Sequence, residues 1–428
     1  MRKSLKVGFF LATAFGFTAL LASQAQTSKV SITYWQYAFD SKVKIMNTIM
    51  ADFNKANPDI EVKQENFPYD GFIQKVESSL AAGQGPDVVN LFYGWVPQFA
   101  GNGLIQLPES DFSAKSLEAN VGPLMTASKV NGKYWAVPTA VRTLAVFYNK
   151  DLFKAAGITK LPKTWSELSS VAQKIQKTDA GKIQIAGLAL APQGQDHHLF
   201  REVLVRQWGG KPYTADFKKI TYNSEAGLEA WKFYLGLVSS GAAARGLDLF
   251  PASTNAYRDA FIAGRAGMIV DGSFAIGSIR GGAKFNWGVF ELPVKAAGGL
   301  RSNFGSYWVH GLTRNATGDK LAAGVKFLKY LTSEKVQRDW LANVGEIPAN
   351  TKLASDAALR KDPVYGPFVA TLPFAHATFF ANEADQRKAI WDAADSVWLT
   401  KADPAKTLAQ AAATEQKVYD EYFASIKK

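Results

Sequence analysis

Apolar residues alternate with polar ones at Val30, Ile32 and Tyr34, which predicts a strand over Val30–Trp35. The period then changes. Ile45, Met46, Ile49, Met50 and Phe53 recur at the spacing of one helical face, and Asn57-Pro58 stops the pattern. Ile60–Val62 begins a second strand, Tyr69–Ala82 reads as an amphipathic helix closed by Gly83, and Val88–Phe92 is a wholly apolar strand entered through Gly85-Pro86-Asp87. Strand, helix, strand, helix, strand is the order of a parallel sheet with crossover helices.

Lys133–Val137 and Leu144–Tyr148 are two further strand-like runs, joined through Pro138. Thr164-Trp165-Ser166-Glu167 has the spacing of a capping box and opens a helix through Leu168, Val171 and Ile175. Ile183–Leu190 returns as a strand, Tyr257–Ala263 is helical, and Ala266–Val270 and Trp287–Leu292 are strands, the last ending at Pro293. From Lys320 onward the pattern is mostly helical, with starts at Thr332 or Ser333 and at Asp403-Pro404, a cap residue followed by proline. Ala296–Leu300 reads as a surface turn, and no internal repeat is visible. The expected fold class is α/β.

Composition narrows the class. The chain has 428 residues, 47% of them hydrophobic and 20% charged, as in an ordinary globular protein. Arg2, Lys3 and Lys6 precede an apolar run, Val7–Ala22, and Ser23-Gln24-Ala25 offers small residues before a cut, so residues 1–25 read as a secretory signal peptide. The run is short for a bilayer span. Removing those three charges takes the net charge from +12 to +9. The remaining Lys and Arg are scattered among acidic residues, unlike the clustered footprint of a nucleic-acid binder. There is no cysteine, which excludes disulfides, thiolate metal sites, a cysteine nucleophile and a lipid-bearing N-terminal cysteine.

Catalytic motifs are weak. No nucleophile elbow, phosphate-cradling loop or His-Glu-x-x-His occurs. His197-His198 beside Asp196 suggests a metal at first sight, but adjacent side chains on a regular element point apart, so a polar cleft or surface role is the better reading, and no metal or other cofactor is expected. Asp87, behind Pro86 at a strand start, is read as a structural turn residue. Aromatics are more informative: they form 13% of the chain and include 11 Trp. Several follow strand-like runs: Trp35 and Tyr37, Tyr93 and Trp95, Phe274, Tyr307 and Trp308, with Gly94, Gly272 and Gly305 beside them. Ligands of open α/β sheets bind outside the carboxyl ends of strands. Flat aromatic platforms beside polar groups suit the C–H faces and hydroxyls of sugars.

Ala82-Gly83-Gln84-Gly85-Pro86-Asp87-Val88-Val89, Asn131-Gly132-Lys133-Tyr134-Trp135-Ala136-Val137-Pro138 and Phe147-Tyr148-Asn149-Lys150-Asp151-Leu152-Phe153 occur in this order. Pro162-Lys163-Thr164-Trp165-Ser166-Glu167-Leu168, Phe261-Ile262-Ala263-Gly264-Arg265-Ala266-Gly267-Met268 and Gly345-Glu346-Ile347-Pro348-Ala349-Asn350 follow. With these stretches the chain resembles the family 1 extracellular solute-binding proteins, the maltose-binding-like group, over about Val30 to Phe423. The resemblance implies a periplasmic-binding-protein-like class II fold: two discontinuous α/β lobes with a hinge and a ligand cleft. On that pattern the crossings fall near Ala140–Leu144, Asn286–Trp287 and Leu331–Lys335. Lobe 1 is then 26–141 plus 287–332, and lobe 2 is 142–286 plus 333–428. It further implies a monomeric periplasmic carrier, not an enzyme, that delivers a carbohydrate to the permease subunits of an ABC transporter in the inner membrane.

The family's contact positions match Gln36, Tyr37 and Asp40 after the first strand, and Tyr93, Gly94 and Trp95 after Pro86-Asp87. Maltose-type members carry charges at the last two of these, so Gly94-Trp95 departs toward a less charged, stacking surface. Arg142 stands where the family often has an acidic sugar contact; its fork suits vicinal hydroxyls, a carboxylate or a phosphate. Gln195, Asp196 and His197 fall in a loop that often reaches the ligand. Asp271, Gly272 and Phe274 follow one strand, Gly305 and Tyr307 lie in another, and Arg387 and Trp391 are C-terminal candidates. Two rival readings stand beside the sugar carrier. One is a binding protein for an acidic or phosphorylated solute; the other is an exported glycan-cleaving enzyme with two carboxylates ~5–9.5 Å apart.

Overall fold

The computed structural model describes residues 29–425, so the expected signal peptide lies outside the described residues. Among the described residues, twelve strands make the sheet: β1 (Val30–Tyr37), β2 (Ile60–Phe67), β3 (Val88–Phe92), β4 (Ala136–Asn149), β5 (Lys177–Asp179), β6 (Lys182–Leu190), β7 (Ala243–Arg245), β8 (Ala266–Gly272), β9 (Trp287–Phe290), β10 (Asn303–Leu312), β11 (Ile347–Pro348) and β12 (Ala375–His376). The main path runs β2-β1-β3-β10-β4-β8-β6-β5. β1 is parallel to β2 and β3, and β6 is parallel to β7 and β8, as the crossover pattern predicted. β10 and β4 run antiparallel to their neighbours and tie the two parallel groups together.

β4 is the spine. The sequence predicts two runs broken at Pro138, yet a single strand covers both. Proline has no N–H for the ladder and is tolerated in a strand at a bulge. The bulge is present: Trp308 pairs with Ala140 and Val309 with Pro138, leaving Thr139 as the extra residue. Thr139 gives its carbonyl to the Ala349 N–H instead. The part of β4 before Leu144 pairs with β10 and β11; from Leu144 on it pairs with β8 and β9.

This pairing corrects two expected crossings. Trp287–Phe290 pairs with Val146–Asn149, and Val294 bridges to Thr164, so the segment after Asn286 stays with the second group of strands. The chain returns through β10 instead. Helix Glu334–Val344, expected in lobe 2, buries Val336, Trp340 and Val344 in one cluster with Ile32, Met46 and Phe327 on the first group. Its apolar stripe predicts a buried face but not which sheet receives it.

Local signals hold well. Helix Asp40–Ala56 buries the predicted Ile45, Met46, Ile49, Met50 and Phe53. Thr164 and Glu167 form both halves of the capping box, Ser333 caps Glu334–Val344, and Asp403 accepts the Lys406 N–H before helix Pro404–Ser425. Asp87 is structural, its carboxylate accepting the N–H and hydroxyl of Thr33 at 2.9 and 3.1 Å. The predicted helix Tyr69–Ala82 begins only at Phe72, because Gly71 takes φ +82°. That turn leaves Tyr69 in a loop, 38% exposed, where a helix would have fixed it.

Candidate functional site

Where β4 and β10 pass from one strand group to the other, Arg142 lies opposite Ser306. Above them opens a cleft of about 470 Å³. One wall comes from Tyr37, Phe39, Tyr69, Phe92 and Trp308. The facing wall comes from the loop Gln193-Gly194-Gln195, from His197, His198, Tyr257, Arg258 and Phe274, and from Glu383 and Arg387 of helix Glu383–Thr400.

The first wall is a stack of rings. Trp308 lies on Tyr37 with centroids 4.1 Å apart, and the Trp95 ring meets Trp308 edge-on at 5.4 Å. Trp95 also contacts Tyr69, Phe72 and Phe92 and is 4% exposed, so it supports the wall from behind. On the opposite wall, the Phe274 ring lies near two guanidinium groups, 4.7 Å from that of Arg142 and 5.1 Å from that of Arg258. A Cβ on residue 272 would come within 2.3 Å of the Phe274 ring, so Gly272 makes room for it.

Each cation is held by a carboxylate. Glu346 Oε1 is 3.0 Å from both Lys42 Nζ and Arg142 Nη2, and Trp340 Nε1 donates to Glu346 Oε2 at 2.7 Å. Burial by itself raises the Glu346 carboxyl, but the Arg142 and Lys42 charges outweigh it and hold it at about 2. Burial pushes the Lys42 ammonium down to about 8 against the pull of Glu346. Arg258 donates to both oxygens of Asp271, at 2.7 and 3.2 Å. Arg387 approaches Glu383 at 3.6 Å and lies against the Tyr69 hydroxyl. The His197 and His198 rings lie 3.7 Å apart, tilted by 39°, and His198 stacks on Phe304. Burial first, then the neighbouring imidazole and arginine charges for His197 and the arginines for His198, pushes both well below the ordinary value, so they are neutral.

Of the residues singled out from sequence, Tyr37, Arg142, Gln195, His197, Phe274 and Arg387 meet in this cleft. The others lie elsewhere. Gln36 alternates to the far face of β1 and donates to Gln64 at 2.5 Å; Asp40 is exposed in the first turn of its helix. Tyr93 and Tyr307 stack together in the core, their hydroxyls donating to the carbonyls of Thr378 and Leu124. Gly94 and Gly305 are packed under Phe380 and Leu124. Asp196 accepts the Ala191 N–H and the Tyr234 hydroxyl; burial drives its carboxyl up to about 7. Asp271 stands behind Arg258, and Trp391 donates to Asp395 away from the cleft. Sequence reasoning missed Tyr69, Arg258, Phe304 and Glu383 as wall residues, and named His198 only through the His197-His198 pair read as polar cleft or surface. It named Trp308 only as a strand-end aromatic. Strand alternation says that one of Tyr307 and Trp308 faces the ligand side, and only the register on β4 decides which.

Two groups of parallel strands joined by shared crossing strands, with an aromatic and hydrogen-bonding cleft at the junction, define a periplasmic-binding-protein-like α/β protein. The comparisons agree. Residues 48–366 match the model of the bacterial extracellular solute-binding proteins. The chain belongs to that family. It is 24% identical to the maltotriose-binding protein of Pyrococcus abyssi, over 86% of this chain and 76% of that one. It is 27% identical to the galactooligosaccharide-binding protein of Bacillus subtilis, over 85% and 84%. Among solved structures it is similar to the GacH receptor of Streptomyces glaucescens, described unliganded and with acarbose, with a TM-score of 0.79 and 25% identity over 92% of this chain and 99% of that one.

Proposed function

We propose that this protein is the extracytoplasmic substrate-binding subunit of an ABC importer, that it captures a carbohydrate in the cleft, and that it hands it to membrane permease subunits. The observation that carries this reading is the cleft itself: the Trp308–Tyr37 stack and Phe274 offer apolar ring faces, while arginines and imidazoles beside them are fixed as hydrogen-bonding groups. The relatives named for maltotriose and galactooligosaccharides support it. The lobes are residues 30–143 with 303–354, and residues 144–302 with 355–425, closing on the ligand as a monomer. Export through residues 1–25 places the mature protein in the periplasm. No helix among the described residues is long and apolar enough to cross a membrane.

A carrier is favoured over a glycan-cleaving enzyme. Glu346 and Asp271 are each bound to a guanidinium, Glu383, raised by burial, lies 3.6 Å from that of Arg387, and the raised carboxyl of Asp196 is turned away from the cleft onto Ala191 and Tyr234. The test is a thermal-shift and calorimetric panel of malto- and galacto-oligosaccharides, with product analysis after overnight incubation. A cleft ligand at 100 times its Kd stabilises by ~2.7 kcal/mol and is recovered intact. Absence of any carbohydrate ligand, or turnover of one, overturns the reading.

A further inference from the structure

Three arginines in one cleft invite an anionic ligand, since guanidinium forks match carboxylate and phosphate. Their surroundings cancel that attraction. Arg142 shares Glu346 with Lys42 at 3.0 Å, Arg258 is doubly bonded to Asp271, and Arg387 lies 3.6 Å from Glu383. Asp70 lines the cleft mouth, and its charge acts on Arg387. Four cations, Lys42, Arg142, Arg258 and Arg387, therefore face four carboxylates, Glu346, Asp271, Glu383 and Asp70. The adjacent pair His197 and His198 adds no charge, because burial and the neighbouring arginines keep both imidazoles neutral.

An anionic ligand would enter this site as an unmatched charge, stripped of water and close to carboxylates already in place. A hydroxyl takes the same N–H donors without that penalty. We propose that the cleft selects uncharged sugars over their anionic counterparts, and that Glu346, Asp271 and Glu383 determine this selectivity by cancelling the charges of Arg142, Arg258 and Arg387. The inference rests on the carbohydrate reading above and goes past it by assigning the residues that set the ligand's charge.

The experiment uses the full-length mature chain and matched pairs of neutral di- and trisaccharides and their C6-carboxylate (uronate) forms, titrated at low and high salt. Wild type is expected to bind the neutral member at least ~tenfold tighter, with a Kd that changes little with salt, since screening acts on net charge interactions. Glu383→Gln, in the buried part of the cleft wall, removes one compensating carboxylate. It is expected to move the affinity ratio toward the uronate by roughly fivefold or more at low salt, with the shift shrinking as salt rises. Tighter, salt-sensitive binding of the uronate by wild type overturns the inference and leaves the carbohydrate reading intact. A folded Glu383→Gln protein with an unchanged ratio overturns it too. Binding of neither member of any pair overturns both. The wild-type comparison stands even if the variant does not fold.

Discussion

Trp308 and Trp95 touch edge to face, yet only Trp308 lines the cleft. Trp308→Ala is therefore expected to weaken sugar binding by roughly 1–3 kcal/mol, the value of a lost aromatic face, and, because Trp308 is only 7% exposed and packs on Tyr37, Phe92 and Trp95, to lower ligand-free stability as well. Trp95→Ala should lower stability while leaving sugar affinity close to that of wild type. It opens a cavity among Phe72, Phe92 and Trp308 and should cost ~3–5 kcal/mol of stability. Calorimetric Kd and ligand-free melting of the two variants separate the roles. Glu346 makes a second residue-scale prediction. Removing it leaves Lys42 and Arg142 buried without their anion, so Glu346→Gln should destabilise by ~3–5 kcal/mol. Its folded pKa, about 2, lies below the ordinary 4.5. Its contribution is thus present above pH 4.5 and lost as pH falls toward 2. Denaturant titrations between pH 7 and pH 3 should show a loss in wild type that is smaller in Glu346→Gln.

At the scale of elements, the turn before helix Phe72–Ala81 positions Tyr69. Gly71 holds φ +82°, and a Cβ built there meets no atom within 4 Å. Gly71→Ala is thus a test of backbone strain alone. It should cost roughly 1–2 kcal/mol of stability, the penalty of left-handed backbone for an L residue. Because Tyr69 meets Arg387 across the cleft, the same change should also weaken sugar binding. A stable variant with wild-type affinity would mean that the loop does not fix Tyr69. The bulge at Thr139 acts at the same scale. It absorbs Pro138, keeps β4 continuous through the crossing and sets the register that puts Arg142 opposite Ser306.

For the whole molecule, the two parallel strand groups share β4 and β10, and the cleft sits where those strands cross. A ligand there contacts both groups at once, so on the two-lobe arrangement proposed above its binding would be linked to closure. The expected export step is tested on the intact chain. Protein recovered from the native host should begin near Gln26, read by mass spectrometry, and an intact Met1 on the exported protein would reject cleavage. A chain without its first 25 residues should keep full sugar affinity, since every cleft residue lies among residues 37–387.

Local chemistry was legible in the sequence because it depends on near neighbours. The helix stripe at Ile45–Phe53, the Thr164 capping box, the parallel order of the first strands and the turn role of Asp87 all follow from residues a few positions apart. The ordered stretches from Ala82 to Asn350 likewise identified the family that residues 48–366 match. What depended on long-range register was not legible. Alternation alone could not choose between Tyr307 and Trp308, or foresee that Trp95 would stand behind the wall. The stripe of Glu334–Val344 did not name the sheet that buries it. Arg142 could be picked out as unusual, but its electrostatic meaning required Glu346, far from it in the chain and 3.0 Å from both Arg142 and Lys42. Sequence thus determined which elements form and which side chains bear chemistry. Tertiary structure decided which way each one faces and which charge it meets, because a shift of one residue in strand register reverses every side chain on that strand.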